Sequence, residues 1–543
     1  MSKYIVDCCL NHEMLYLVLP MLQEVDLNCQ EETIRVFKEI LTKTIQVKLD
    51  KLNKAQLLNR AYSSKDFLME GQGSVTLASK PTKAQESFIK SLIKVVLHDF
   101  SKNNSQIVDY QGNLLTSLCI ERIYIEETTW NEDLSTDPNE LLRVINDVLS
   151  WPSNQYESCN RRNKPVQMEK EFRIHFYQIP HNTDVLLNSQ ISEEFDKIDL
   201  RDPSDYAEKT YVSVDRTPSW LPFSEETLNQ IQIHLMPSLE LENVWESLYF
   251  DDDIKEKLFS YATIALNVSQ YTSSDPVNTI ADSNRLLLIH GPPGTGKTTI
   301  CKALCQKLAI RQNSGLSLEG KCVPPVILIE LSCSKVFSRW FGESSKNVDT
   351  LFKDLQELLK QNTTNNQFVC LLIDEVETIA FSRASLINKN ETTDAIRVVN
   401  TLLTQLDNLK KYRNFITLAT SNLLDSMDPA FIDRADGIFH IPKPSTQGCK
   451  SIIESSIKQL IDAGIIKTSN KLSIEEPLIQ GVLEKIVTRC SQQELSGRTL
   501  RKLPLKAISE HFTQLPVDLT AFLVALASSS THSNHEMTSI RNL

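Results

Sequence analysis

The chain has 543 residues, of which 41% are hydrophobic and 23% are charged. This composition is typical of a soluble globular protein with several domains, and it excludes collagen-like, low-complexity and wholly disordered chains. The formal net charge is −12, and most of the acidic excess lies before residue 241. An acidic N-terminal part argues against direct nucleic-acid binding there, because phosphate backbones require clustered basic charge.

The distribution of apolar and cysteine residues bears on the cellular compartment. The longest apolar runs fall short of the roughly 18 residues that span a bilayer, and the first ten residues lack a signal-peptide layout. The twelve cysteines include no C-x-x-C pair and no zinc spacing. We therefore expect a nuclear or cytosolic protein with reduced cysteines and no membrane contact.

The N-terminal part mixes helical and strand-like patterns. Apolar residues recur at helical spacing in 30–52 and 86–96, whereas residues 116–127 and 171–178 alternate apolar and polar positions as strands do. These patterns predict a separate α+β domain over residues 1–200. Residues 201–240 contain several prolines and are predicted to be a linker.

From residue 241 the pattern becomes regular. An amphipathic helix is predicted over 252–270, followed by short apolar strands that alternate with helices. The strands are 285–290, 326–331, 368–373 and 415–420, and the helices are 298–309, 345–361 and 392–409. Continuous apolar strands of this kind predict a doubly wound α/β domain with a parallel sheet, here residues 241–444. Three further helices, 449–463, 475–490 and 496–512, predict a helical lid over 445–527, and the polar residues 528–543 are predicted to be disordered.

Glycine is scarce and clustered. The chain contains 14 glycines, none of them between Gly112 and Gly291, and then three within six positions. The segment from Gly291 matches G-x-x-x-x-G-K-[ST] between a predicted strand and a predicted helix, which is the context that a phosphate-binding loop requires. Lys297 is expected to reach the β- and γ-phosphates, and Thr298 to bind Mg²⁺. The predicted ATP-binding residues are Gly291, Pro292, Pro293, Gly294, Thr295, Gly296, Lys297, Thr298 and Thr299.

Polar residues follow two of the predicted strands. Asp374 and Glu375 end the apolar strand 368–373, and Asn422 follows strand 415–420. After a phosphate-binding loop, these positions predict that Asp374 holds Mg²⁺, directly or through water, and that Glu375 polarises the attacking water. Asn422 is predicted to orient that water. Alone, two acids after a strand are a weak signal, and an Asn in this place also suits a turn.

Together these motifs resemble an AAA+ ATPase module. The segment 428–434 is similar to the one that precedes the arginine finger of that family, which implies that Arg434 completes the site of a neighbouring subunit. This chain lacks the usual R-P-G-R run, and a structural Arg is the alternative. Arg498, in Ser-Gly-Arg at the start of a predicted lid helix, resembles the sensor-2 arginine of the family. The resemblance thus implies that Glu375, Asn422, Arg434 and Arg498 are catalytic.

The segment Trp340, Phe341 and Gly342 lies between polar residues ahead of a predicted helix. It is similar to pore loop 1 of AAA+ unfoldases, in which aromatic side chains line a hexamer channel and grip a polypeptide. Burial in a core is the alternative, since aromatic residues are more often packed inside.

A narrower resemblance is to the pachytene checkpoint protein 2 family. It covers residues of about 240–515 and is carried by the segments 245–248, 285–298, 338–343, 394–400, 433–436 and 496–504. The family implies a homohexameric ring that uses ATP and Mg²⁺ to remodel HORMA-domain proteins in the meiotic checkpoint, directly or through an adaptor. It implies a chromosome-associated nuclear protein, with a cytoplasmic pool as a further expectation.

Two other functions remain open at this point. A nucleic-acid motor or clamp-loader-like switch would share the ATPase motifs, but its substrate loop would more often carry Lys or Arg than Trp340 and Phe341. A nucleotide-bound scaffold without turnover is the second alternative. The complete set of Lys297, Asp374, Glu375, Asn422 and Arg498 argues against it.

Overall fold

A computed structural model describes most of the ATPase part of the chain and short parts of the N-terminal region. The described residues are 2–10, 41–43, 45–46, 49, 61–63, 120–128, 170–177, 179, 221–250, 253–271, 285–312, 326–333, 344–362, 367–380, 393–467 and 476–541. The chain divides into two compact units, one of Met1–Gln178 with Ser314–Gly320 and one of Ile179–Asn313 with Lys321–Leu543. Across the described residues, no helix combines the length and hydrophobicity that crossing a membrane requires.

The N-terminal unit contains a four-stranded sheet in the order β2-β3-β1-β4. The central strand β1 is antiparallel to β3 and parallel to β4. The strands predicted over 116–127 and 171–178 are confirmed, while β1 was not predicted. Its consecutive residues Val6, Asp7 and Cys8 are all buried, so β1 lacks the alternation that marks a half-exposed strand. The strands are β1 Ser2–Leu10, β2 Ala61–Ser63, β3 Ile120–Thr128 and β4 Lys170–Tyr177.

Two predicted helices of this unit fall largely outside the described residues. Within 30–52, residues 41–43, 45–46 and 49 are helical, as predicted. The helix predicted over 86–96 lies outside the described residues.

The second unit is built on a six-stranded sheet in the order β10-β6-β9-β8-β7-β5. The pairs from β10 to β7 are parallel, and only β5 runs antiparallel, against β7. The prediction of a doubly wound parallel sheet is confirmed, with this antiparallel edge as an addition. The strands are β5 Ile231–Met236, β6 Leu286–His290, β7 Val326–Ser332, β8 Phe368–Asp374, β9 Phe415–Ser421 and β10 Gly437–His440.

Helices cover both faces of this sheet. Alternate strand residues point to opposite faces, so Leu286 and Leu288 join one core while Leu287 and Ile289 join the other. Helices α5 and α6 pack on the first face, and α3 and α4 pack on the second. The helices of this part are α1 Glu225–Leu228, α2 Val244–Ser247, α3 Ile254–Tyr271, α4 Lys297–Gln312, α5 Ser344–Asn362, α6 Thr393–Leu409 and α7 Pro429–Ile432.

The prediction of a linker over 201–240 is wrong for its described end. Residues 231–236 form the edge strand β5, which pairs along its whole length with β7. The prolines suggested a linker, but Pro237 follows β5 directly. At that position no hydrogen bond of the sheet is needed, so the proline is compatible with the strand. Residues 201–220 lie outside the described residues.

The lid has its own core and is longer than predicted. Its helices are α8 Thr446–Asp462, α9 Pro477–Gln492, α10 Gly497–His511 and α11 Leu519–Arg541, with a short parallel pair of strands, β11 Ile466–Lys467 and β12 Val517–Asp518. The predicted disordered tail 528–543 is therefore wrong for the residues that α11 contains. Ser529 and Ser530 are buried, and their hydroxyls donate to Glu510 and to the Ala527 carbonyl. Hydrogen bonding thus lets a polar segment continue a packed helix.

Candidate functional site

The predicted phosphate-binding loop lies between the buried strand β6 and the first turn of α4. Gly291 and Gly294 adopt positive φ angles of 151° and 77°. A Cβ atom at Gly291 would lie 2.1 Å from the Ile441 carbonyl oxygen, so no other residue fits without moving the backbone. The loop therefore has the backbone that the motif predicts, open to phosphate at the start of a 16-residue helix.

Lys297 is buried and turned back toward the loop. Its ammonium donates to the carbonyl oxygens of Gly291 at 2.9 Å and Pro292 at 2.8 Å. Burial lowers the pKa of Lys297, and the nearby carboxylates, Glu377 before Asp374, oppose that shift. Because the lysine is charged and held only by neutral carbonyls, phosphate oxygens are stronger acceptors for it.

Thr298 and Asp374 meet at the end of the sheet, as the sequence predicts. The Thr298 hydroxyl donates to Asp374 Oδ1 at 2.7 Å, and the Thr420 hydroxyl donates to the same oxygen at 2.5 Å. A hydroxyl next to a carboxylate is an oxygen-donor set that Mg²⁺ prefers. These residues therefore fit the predicted metal, although Thr420 was not among the predicted residues.

Glu375 follows Asp374 in an unusual backbone conformation. Its φ of 54° lies in the left-handed region, which a non-glycine residue adopts at a cost of about 1–3 kcal/mol. The conformation is held from both sides, because the Glu375 N–H donates to Thr420 Oγ1 at 3.1 Å and its carbonyl accepts from the Thr378 hydroxyl at 2.9 Å. The side chain is exposed. Glu375 is thus displayed at the edge of the sheet beside Asp374, as a water-activating residue requires.

Asn422 follows β9 and contacts a residue that the sequence analysis did not select. Its backbone N–H and its side-chain Nδ2 both donate to Glu377 Oε1, at 3.1 and 3.0 Å. Glu377 is 5% exposed. Strands β8 and β9 are adjacent and parallel, so residues just beyond their carboxyl ends necessarily lie side by side.

The lid reaches the phosphate-binding loop directly. The backbone N–H of Arg498 donates to the Gly294 carbonyl at 3.1 Å. Ser496 caps helix α10 by accepting from the Thr499 N–H at 3.3 Å, which places Arg498 in the first turn. Burial is the main cause of the lowered pKa of Lys297, and the nearby Arg498 charge also lowers it. Arg498 therefore lies beside the phosphate-binding loop, and its catalytic role stays a prediction.

A cavity of about 310 Å³ lies between the loop and the lid. This volume is at the lower end of the range for small-molecule sites. Its walls combine apolar residues from the segment after α2, prolines after β10 and cations from the lid. They include Leu248, Tyr249, Phe250, Pro442, Lys443, Pro444, Ile452, Arg498, Arg501 and Lys502.

Arg434 is held by its own subunit. Its guanidinium donates to both carboxylate oxygens of Asp407, at 3.2 and 2.9 Å, and to the Ala430 carbonyl at 2.8 Å. The Arg434 hydrogen bonds lower the pKa of Asp407, with Lys410 as a second contributor. The structure thus pairs the Arg434 guanidinium with Asp407 of α6, and the predicted role of Arg434 in a neighbouring site stays a prediction. Trp340, Phe341 and Gly342 lie outside the described residues.

Comparison with known proteins agrees with these features. Residues 287–443 match the family model "ATPase family associated with various cellular activities (AAA)", and residues 445–534 match "TRIP13-like, AAA+ ATPase lid C-terminal domain". Pachytene checkpoint protein 2 of Saccharomyces cerevisiae is 42% identical over 525 residues, which covers 91% of this chain and 90% of that protein. The chain belongs to the pachytene checkpoint protein 2 family of AAA+ ATPases.

Two further members of the pachytene checkpoint protein 2 family are similar to this chain. The Danio rerio homolog is 37% identical over 339 residues, which covers 60% of this chain and 77% of that homolog. A solved structure of C. elegans PCH-2 covers 84% of this chain and 97% of its own, with a TM-score of 0.51 and 23% identity, and supports the fold. The sequence-based assignment to this family and to the ATPases is confirmed.

Two site residues of this family member escaped the sequence analysis. Thr420 lies inside an apolar strand, and Glu377 lies two positions beyond the acidic pair. A polar residue in an otherwise apolar strand was the available signal for Thr420. The only signal for Glu377 was that it is a third acid in the segment Asp374-Glu-Val-Glu377. Such a segment is equally typical of a solvent-exposed turn.

Proposed function

We propose that this protein uses ATP hydrolysis to remodel HORMA-domain proteins, acting as a homohexameric ring. The observation that carries the proposal is the hydrogen bond between the lid at Arg498 and the phosphate-binding loop at Gly294. A lid bonded to the loop that holds the phosphates must respond when the nucleotide changes. Such a response is what a motor needs to turn hydrolysis into movement.

ATP binding uses residues that are already in place. Lys297 exchanges the carbonyls of Gly291 and Pro292 for the β- and γ-phosphate oxygens. Thr298 and Asp374 hold Mg²⁺, directly or through water. Bound there, Mg²⁺ supplies neutralisation of the charge that develops on the phosphate oxygens.

Hydrolysis then depends on the residues that follow strands β8 and β9. Glu375 accepts a proton from water as the water oxygen bonds to the γ-phosphorus and the bond from that phosphorus to the bridging oxygen breaks. Asn422 orients the water. Arg498 from the lid, and Arg434 from the neighbouring subunit, stabilise the charge on the transferred phosphoryl group.

The remodelling step rests on family membership and on the sequence of residues 340–342. We infer that Trp340, Phe341 and Gly342 line the ring's channel and grip an extended segment of the HORMA-domain protein. Opening a latched fold requires several kcal/mol, because native domains are stabilised by about 5–15 kcal/mol. The N-terminal unit docks the substrate, directly or through an adaptor, on chromosomes in the nucleus and also in the cytoplasm.

The test uses a variant that binds ATP without hydrolysing it. With ATP and Mg²⁺, Glu375→Gln is expected to form a particle of six chains, which light scattering measures. It is also expected to retain a purified HORMA-domain protein, and a photoreactive residue introduced at position 341 of the same variant should crosslink to that protein. Glu357→Gln, on the exposed face of α5, is the control and should release the HORMA-domain protein after turnover. Retention without the crosslink would refute the channel, and stimulation of the wild-type ATPase by duplex DNA alone would favour a nucleic-acid motor.

A further inference from the structure

Glu377 is a buried acid that the hydrolysis scheme above does not use. It lies in the short 3-10 helix Val376–Thr378 immediately after the catalytic pair, and it is 5% exposed. One of its oxygens, Oε1, accepts from both the backbone N–H and the Nδ2 of Asn422. The other, Oε2, is buried and makes no hydrogen bond with the protein atoms that the structure describes.

A buried carboxylate with one unbonded oxygen requires an explanation. Buried carboxylates are nearly always paired, because an unpaired one is strongly destabilising. Among the charged groups around Lys297, Glu377 raises the pKa of the lysine most, ahead of Asp374 and Glu375, although burial lowers that pKa overall. Glu377 is therefore hydrogen-bonded to Asn422 and also close enough to the phosphate-binding lysine to act on its charge.

The bond to the Asn422 side chain has a directional consequence. A carboxylate oxygen can only accept hydrogen bonds, whereas the Asn amide offers donors on Nδ2 and acceptors on Oδ1. Facing Glu377, the amide must turn Nδ2 inward. Its Oδ1 then points away from Glu377. If the amide were reversed, two acceptor oxygens would meet in a buried place, which is unfavourable.

We propose that Glu377 is a positioning residue that fixes the orientation of the Asn422 amide, so that Oδ1 is free to accept a hydrogen from the attacking water. This inference rests on the proposed role of Asn422. Water has two hydrogens, and Asn422 Oδ1 and the Glu375 carboxylate are two acceptors. With both hydrogens engaged, a lone pair of the water oxygen is left for the γ-phosphorus. A reversed amide would present a donor instead, which would leave one water hydrogen without its acceptor and use one of the two lone pairs of the water oxygen.

A double-mutant cycle tests whether Glu377 acts through Asn422. Glu377→Gln keeps the shape but offers a donor, which lets the amide reverse, and is expected to lower the ATP turnover number about 10–100-fold. In the Asn422→Ala background the same substitution is expected to change turnover less than about twofold, because there is no amide left to orient. An equal loss in both backgrounds, or no loss in the wild type, would overturn the inference.

A swapped pair provides an independent readout that a merely structural role would not produce. Asn422→Asp places two carboxylates together and is expected to lower turnover. Adding Glu377→Gln restores a donor opposite the new carboxylate, so the double variant should be faster than Asn422→Asp alone. A double variant slower than Asn422→Asp would refute the pairing.

The controls separate this inference from the proposal about Asn422. Glu357→Gln on α5 should leave turnover within about twofold of the wild type. If Asn422→Ala retained full turnover, the role of Asn422 in orienting water would fail and this inference would fail with it. If Asn422→Ala were impaired while Glu377→Gln was not, only the role of Glu377 would be wrong.

Discussion

The backbone N–H of Arg498, in the first turn of a lid helix, donates to the carbonyl oxygen of Gly294 in the phosphate-binding loop at 3.1 Å. The two residues are about 200 positions apart, and the contact leaves no room for a side chain on the loop. The lid and the phosphate-binding loop are therefore joined through main-chain atoms, and a substitution of Arg498 by any residue except proline keeps the donor. A change in loop geometry on phosphate binding must be felt in α10.

Gly294→Ala should weaken ATP binding at least tenfold. The new Cβ would lie 2.8 Å from Ser496 Oγ, and alanine at a φ of 77° adds about 1–2 kcal/mol of backbone strain. Titration with a fluorescent ATP analogue measures the change. Gly481→Ala on α9 is the matched control, because nothing lies within 4 Å of its Cβ position. It should bind ATP normally and raise stability by about 0.5–1 kcal/mol. Equal ATP affinities for the two variants would contradict the lid contact.

Thr420→Val should lower ATP turnover about 10–100-fold and raise the Mg²⁺ concentration needed for half-maximal rate. The hydroxyl of Thr420 donates to Asp374 and accepts from the Glu375 N–H, so valine removes the link between the proposed metal-binding acid and the proposed base. Steady-state kinetics over a range of Mg²⁺ concentrations measure both effects. Thr404→Val, whose hydroxyl bonds only within α6, is the control and should retain the wild-type values. An unchanged Mg²⁺ dependence for Thr420→Val would argue against the bridging role.

Arg434→Ala should lower hydrolysis about a thousandfold or more while nucleotide binding persists, if Arg434 acts on the neighbouring subunit. Rings that mix Arg434→Ala chains with Glu375→Gln chains would distinguish a role in trans. In such a mixed ring, the Arg434→Ala chain supplies an intact Glu375 and the neighbouring Glu375→Gln chain supplies an intact Arg434. Sites at that junction should still hydrolyse ATP. Arg489→Ala, an exposed arginine of α9, is the control. Normal turnover by purified Arg434→Ala rings would transfer the role to another arginine, with Arg397 the first to examine.

The surroundings of Glu330 allow a prediction of how the stability of the fold depends on pH. The neighbouring His234 imidazole, at 3.4 Å, and the Lys302 ammonium, at 2.6 Å, lower the pKa of Glu330 to about 2 from 4.5. The folded state thus binds the Glu330 proton more weakly than the unfolded state does. Its contribution is present above pH 4.5 and is lost as the pH falls from 4.5 toward 2.

Glu330→Gln should therefore lower the free energy of unfolding at pH 7 by about 1–3 kcal/mol, and the difference from the wild type should shrink below pH 4.5. Urea unfolding at a series of pH values measures it. Glu484→Gln removes the exposed pair with Lys450 and should change stability by less than about 1 kcal/mol at any pH. A Glu330→Gln difference that did not vary with pH would indicate lost packing instead.

Much of the ATPase fold could be predicted because its signals are local. Strands β6 to β9 are apolar runs of β-forming residues, and burial on both faces makes such runs easy to identify. The edge strand β5 was missed because prolines near it resemble a linker, and an edge strand tolerates them. The continuation of α11 past residue 527 was missed because Ser529 and Ser530 are buried and hydrogen-bonded to Glu510 and Ala527, which composition does not reveal.

The sequence by itself determined the candidate residues: Lys297, Thr298, Asp374 and Glu375 follow from short motifs whose residues lie close together in the chain or at the ends of recognisable strands. Only the tertiary structure decided how those residues are held. Thr420 is 46 positions from Asp374, Glu377 is 45 from Asn422, and each pair meets because β8 and β9 are parallel neighbours. A hydrogen bond between strand ends depends on sheet order and register, and these are set by the packing of the whole domain rather than by any local pattern.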